Sequence, residues 1–182
     1  NKEENTKSQI DELAALFPVY VSDVNSVSQA CEMIKDIGEL TQSTEKSLAL
    51  IKQIRADFKS LPKFDLKVLY FIWKKPYMIA GDNTFIGHLL GQLGFENSLK
   101  DSSLRYIAVS IEEIKAMQPD LICLSSEPYP FKEKDCKKIK DEVGVPTLIV
   151  DGEMFSWYGA RMIKMKDYFL KLEAEIKAFQ KS

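Results

Sequence analysis

The sequence has one histidine, three cysteines and eight glycines in 182 residues, and each scarcity closes off a class of function. The lone His88 leaves Ser-His or Cys-His catalysis a single base. It sits between Phe85 and Leu89 in a helical pattern, with no metal-ligand partner four residues on. Cys31, Cys123 and Cys136 are too widely spaced for a disulfide framework or a zinc set. They lean weakly toward a reducing compartment. Cys123 lies in an apolar run, where a buried free thiol is expected, and Cys136 in a lysine-rich stretch, where exposure is expected. The glycines form neither a dinucleotide fingerprint nor a phosphate loop, and no Gly-x-Ser-x-Gly elbow occurs. No apolar run approaches the ~20 residues that span a bilayer. A basic excess is also missing: 25 Lys and Arg against 27 Asp and Glu leave a net charge of −2, which excludes a dominant nucleic-acid binder. The polar start, Asn1 to Asn5, lacks the basic and apolar regions of a signal peptide. The absence of an initiator Met fits a mature or truncated product.

What is present is an ordinary globular composition, 45% hydrophobic and 29% charged. Ile10, Leu13, Leu16 and Phe17 predict a helix over 5–17, stopped by Pro18, then a short strand Val19 to Val21. Ser26 is a candidate cap for a helix with Val27, Ala30, Ile34 and Ile37 inward. A third helix is predicted from Thr44 to Lys59. The apolar run Lys67 to Trp73 reads as a strand buried on both faces and ended by Pro76. Asn83 to Leu93 reads as a helix stopped by Gly94. Ser110-Ile111-Glu112-Glu113 is a capping box for a helix ending before Pro119. Strands at Leu121–Leu124 and Pro146–Asp151 flank a charged helix over 132–142, and a final helix is predicted from Ala160 to Phe179. The fold class expected is α/β, with a Rossmann-like C-terminal lobe and a mainly parallel sheet. The helix–Pro–strand–Asp rhythm of residues 10–23 repeats at 139–151, which suggests two related lobes.

Three blocks of residues then resemble a family. They are Trp73-Lys74-Lys75-Pro76-Tyr77 with Gly94-Phe95-Glu96-Asn97, then Ser110 to Ile114 with Gln118-Pro119-Asp120-Leu121, then Asp151-Gly152-Glu153 with Phe155 to Arg161. In order and spacing they resemble the helical-backbone substrate-binding proteins of ABC importers, which bind vitamin B12, haem and ferric siderophores. The resemblance implies two α/β lobes joined by a rigid helix, with ligand in the cleft between them. On that alignment residues 1–25 are the end of an N-terminal lobe most of which is lacking. Residues 26–61 are a helical linker, with 44–60 as the inter-lobe helix, and 62–182 are the C-terminal lobe. The partners implied are the importer's transmembrane permease and a small-molecule metal chelate, cobalamin first, then haem or ferric siderophore. No nucleic acid, resident cofactor or bound metal is implied. The location implied is periplasmic, or lipid-anchored and extracytoplasmic. An exposed lobe remnant also makes a homodimer an expected assembly.

A flat chelate needs aromatic faces and a few polar anchors more than acids and bases. The candidates are Trp73, Tyr77, Tyr106, Phe155, Trp157 and Tyr158, several of them at carboxyl ends of predicted strands. For Trp73 and Phe155 the alternative is the core, and for Tyr106 it is surface packing. Arg161 is a candidate anchor for an acidic ligand group, or else a partner of Glu153. In the B12-binding members a surface glutamate on each lobe docks on the permease, and Glu112 is the position matching it here; its alternative role is to favour the helix start. Met78 and Met154 read better as gap-filling than as soft ligands. Two other classes remain open, an α/β enzyme using acids such as Asp151 and Glu153, and a protein-interaction module.

Overall fold

The computed structural model describes residues 1–99 and 104–179. It has helices α1 (Lys7–Ala14), α2 (Val27–Leu40) and α3 (Thr44–Phe58), followed by strands β1 (Lys67–Lys74) and β2 (Tyr77–Ala80). Then come α4 (Phe85–Gln92), β3 (Glu96–Asn97), β4 (Tyr106–Val109), α5 (Ile111–Met117), β5 (Leu121–Ser125), α6 (Glu133–Val143) and β6 (Thr147–Val150). A one-turn α7 (Glu153–Ser156) and a 3₁₀ segment Ala160–Lys164 lead into α8 (Met165–Phe179).

The sheet runs β4-β2-β1-β5-β6, with β3 also pairing β1. β1, β5, β6 and β3 are mutually parallel, and β2 and β4 form an antiparallel wing. β1 carries two neighbours on one side: β3 meets Lys67 and Val68, and β2 meets Phe71 to Lys74. Alternation places Val68 and Tyr70 on one face and Leu69 and Phe71 on the other. The first face is covered by α2, α3, α4 and α8 through residues such as Ala30, Ile54, Leu89 and Phe169. The second is covered by α5 and α6 through Ile114 and Ile139. This is a three-layer α/β/α arrangement, as the buried apolar runs predict.

Several expectations are corrected. Residues 19–21 form no strand, since among the described residues no strand pairs with them. The helix expected over 5–17 is only Lys7–Ala14 and buries none of its side chains. β1 ends at Lys74, just before Pro76 as expected, but the turn there folds the chain back as β2, a strand not expected from the sequence, as β3 and β4 were not. Cys136 is buried, and burial pushes its thiol up to about 11. The loop expected over 152–159 contains α7, and the final helix opens as 3₁₀. The capping box forms as expected: the Glu113 amide donates to Ser110 Oγ at 3.2 Å, and the Ser110 amide donates to Glu113 Oε2 at 2.7 Å.

Gly38 is what lets α2 and α3 touch. A Cβ there would stand 2.5 Å from the Ser47 Cβ and overlap its hydroxyl. The three-residue connection 41–43 therefore closes a tight helical pair, which α3 anchors to the core through Ile51 and Ile54.

Candidate functional site

β1, β5 and β6 point their carboxyl ends to one edge of the sheet, where open α/β folds collect their binding groups. A cavity of about 540 Å³ lies there. Its walls are Ile72 near the end of β1, Phe85 and Ile86 from the first turn of α4, and Tyr106 at the start of β4. Glu127 and Pro128 after β5, and Ser156, Trp157 and Tyr158 after β6, complete them. Asn1, Glu3 and Glu4 line the cavity as well.

Local bonding holds each wall. Thr84 caps α4, accepting from the Gly87 amide at 2.9 Å and donating to the Gly81 carbonyl at 2.8 Å, which fixes Phe85 and Ile86. The Tyr158 ring meets Phe85 edge-on at 5.4 Å. The turn before Trp157 is tied down at three amides. That of Asp151 donates to the Tyr168 hydroxyl at 2.8 Å, that of Gly152 to Ser126 Oγ at 2.9 Å, and that of Glu153 to Asp151 Oδ1 at 3.0 Å. Trp157 is 51% exposed, and the Arg161 guanidinium stands 5.6 Å from its ring centroid while pairing with Glu153. The Tyr106 hydroxyl donates to Glu3 Oε1 at 2.7 Å, and Arg105 reaches the same carboxylate at 3.1 Å. Burial, then the Glu3 bond, raises the Tyr106 phenol well above its ordinary range; burial, then Glu3 and Glu4, raises that of Tyr158. Both therefore stay neutral near pH 7.

Of the predicted site residues, Tyr106, Trp157 and Tyr158 come together around this cavity, and Arg161 stands behind Trp157. Three others do not line it. Trp73 follows Ile72 on β1, so the pleat turns it to the opposite face, where it meets Tyr129 at 5.7 Å. Tyr77 packs with Phe71 on that face too. Phe155 has no exposed surface and stacks among Tyr70, Phe169 and Tyr168 in the core. Glu112 is exposed in the first turn of α5. Sequence reasoning missed Ile72, Phe85, Ile86, Glu127 and Ser156. For Glu127 a signal existed: Ser125-Ser126-Glu127-Pro128 directly follows a buried parallel strand. His88 is half-buried outside the cavity lining, and burial lowers its pKa. Among the described residues no group of three His, Cys, Asp or Glu side chains is placed to hold a metal ion.

An aromatic and aliphatic cavity with a few convergent polar groups is a binding site in form. A sequence profile of the periplasmic binding proteins matches residues 1–145. The chain belongs to the periplasmic binding protein family. Three solved structures show how far the fold of this periplasmic binding protein extends. Against the vitamin B12-binding protein BtuF of Vibrio cholerae the TM-score is 0.68 at 16% identity, covering 93% of this chain and 71% of that one. Against the catecholate-siderophore-binding protein VctP of Vibrio cholerae it is 0.71 at 15% identity, covering 90% and 68%. Against S. aureus IsdE complexed with haem it is 0.70 at 18% identity, covering 91% and 70%. At these identities the likeness is one of fold. The family and these neighbours are binding proteins rather than enzymes. The family is extracytoplasmic, which takes precedence over cysteine usage as a guide to compartment. No helix among the described residues is long and apolar enough to cross a membrane.

Proposed function

We propose that the protein is the extracytoplasmic substrate-binding component of an ABC importer, free in the periplasm or lipid-anchored, and that its cargo is a metal chelate. A corrinoid is the first choice, haem or a ferric siderophore the next. The observation that carries this reading is the cavity walled by Tyr106, Trp157, Tyr158 and Phe85 at the carboxyl ends of the parallel strands, in a chain of this family. Aromatic faces suit a flat, polarizable ligand, and the neutral phenols supply hydrogen bonds without charge. In the proposed organisation, residues 1–25 end one lobe, 26–61 connect and 62–182 form the second. Glu112 is the proposed docking residue for the permease, since it is exposed on a helix covering the face away from α2 and α3. Leu13, Leu16, Phe17, Tyr20 and Val21 are exposed together and are the surface proposed for a homodimer.

The test is a tryptophan-fluorescence titration against cobalamin, cobinamide, haemin and a ferric-siderophore panel, corrected for ligand absorbance. Saturable quenching by one class identifies the cargo. Absence of binding to every member overturns the chelate reading. The docking part has its own check: Glu112→Arg should abolish uptake in cells while leaving ligand affinity unchanged, and unimpaired uptake removes it. Sedimentation equilibrium that finds only monomer removes the dimer.

A further inference from the structure

The cavity is unbalanced in charge. Glu3, Glu4 and Glu127 line it, and among the described residues no lysine or arginine side chain does. Two guanidiniums beside the cavity pair with other acids, although among the described residues the Nε of each finds no hydrogen-bond partner. Arg105 pairs with Glu3 and donates to Asn25 Oδ1 at 2.6 Å, and Arg161 pairs with Glu153 across the Trp157 ring. Glu127 is the acid whose position the fold specifies. Its backbone is clamped by Ser125, whose hydroxyl bonds the Glu127 carbonyl and stands 3.4 Å from the Glu127 amide and 3.1 Å from the buried Tyr70 hydroxyl. Its stem occupies space that Gly152 leaves open: a Cβ on Gly152 would lie 2.6 Å from Glu127 Cγ and overlap Ser125 Oγ. Among the described residues the carboxylate's hydrogen-bond partner is the Ser156 hydroxyl, 3.3 Å from Oε1, and that hydroxyl also reaches the Gly152 carbonyl at 2.8 Å. β1, β5 and the turn after β6 thus converge to hold one carboxylate in an aromatic cavity that no lysine or arginine side chain lines among the described residues.

We infer that Glu127 sets the charge class of the ligand: the cavity takes a chelate whose periphery is cationic or rich in amide N–H donors, and rejects one edged with carboxylates or catecholates. The inference rests on the chelate-binding reading above and deepens it. A carboxylate accepts charge-assisted hydrogen bonds from amide donors. Facing propionates or catecholates it meets like charge in a partly desolvated space, which suppresses the wrong ligand. Glu4 adds to the same field, while the charge of Glu3 is balanced by Arg105.

The experiment titrates the protein and Glu127→Gln with cobinamide, cationic and amide-edged, and with haemin, which carries two propionates, at low and high salt. The protein should bind cobinamide at least about tenfold tighter than haemin, the scale of one charge-assisted hydrogen bond. Glu127→Gln should narrow that ratio about fivefold or more. In the unmutated protein, salt should weaken cobinamide binding and strengthen haemin binding, and this readout needs no variant to fold. Tighter haemin binding, an unchanged ratio in a cooperatively melting Glu127→Gln, or salt slopes of the same sign would each overturn the inference while leaving chelate binding intact. No saturable binding of either ligand or of the wider panel would overturn both.

Discussion

Ile72 and Trp73 are adjacent in the chain and face opposite sides of β1, and only the isoleucine reaches the cavity. The larger ring is 41% exposed beside Tyr129, far from Trp157 in role although alike in chemistry. On the proposed function, Trp157→Ala should therefore weaken chelate binding about tenfold, the scale of one lost aromatic face. Trp73→Ala should change it by less than about twofold. Fluorescence or calorimetric titration of the two variants separates them, and equal losses would move the site to the other face of β1. Tyr106 and Phe155 teach the same point. Both read as aromatic loop candidates in sequence, but only Tyr106 has a polar tip meeting a partner in the cleft, while Phe155 has the full burial of a core ring.

At the scale of elements, the end of β1 is joined to the start of α6 by an ion pair. Lys74 Nζ donates to Asp135 Oδ1 at 2.5 Å, and the Lys132 amide donates to Asp135 Oδ2 at 2.9 Å. Burial raises the Asp135 pKa, yet the Lys74 and Lys132 bonds outweigh it and hold the carboxyl below its ordinary value. Asp135 is 2% exposed and Lys74 18%. Removing one partner leaves a nearly buried charge alone, so Lys74→Ala should destabilise the fold by about 2–3 kcal/mol. That is less than the ~3–5 kcal/mol of a fully enclosed pair, because water reaches the lysine side. Urea unfolding measures it, and the double substitution Lys74→Met with Asp135→Leu should recover most of the loss. The sign with pH follows from the depressed carboxyl. The pair's contribution is present above the unfolded pKa of ~4 and is lost as pH falls through the lower folded value. Elements were legible where local chemistry marks them. The Ser110 capping box and the apolar run of β1 appear where the sequence places them. β2 and β4 were not, since four-residue strands at an antiparallel edge have too few residues to show a period.

Across the whole molecule, the two hydrophobic clusters on either face of one sheet account for the three layers. The segment 1–25 stands apart: α1 buries no side chain, yet Glu3 and Asn25 tie this segment to Tyr106 and Arg105 beside the cavity. The only histidine reports on the stability of this assembly. Burial lowers the His88 pKa below its ordinary 6.5, so the unfolded chain binds the proton more readily than the folded one. His88's contribution to stability is therefore full above about pH 6.5 and falls as pH drops below it. His88→Gln should flatten the decline in urea midpoint between pH 6.5 and 5 relative to the unmutated protein; parallel curves would show that the proton reaches the folded ring freely.

The sequence by itself determined the layer architecture, the family and the acid–base balance, because periodicity, caps and ordered motifs are properties of neighbours in the chain. The lining of the cavity was decided only by tertiary structure. Which of Ile72 and Trp73 faces the cavity depends on the phase of the pleat against the helices. How the acids beside the cavity are balanced depends on Arg105 finding Glu3, a partner remote in sequence, whereas the Glu153–Arg161 pair was already an expectation of the sequence. The first pairing, like the facing of the rings, is set by contacts between segments distant in the chain, and no local pattern encodes it.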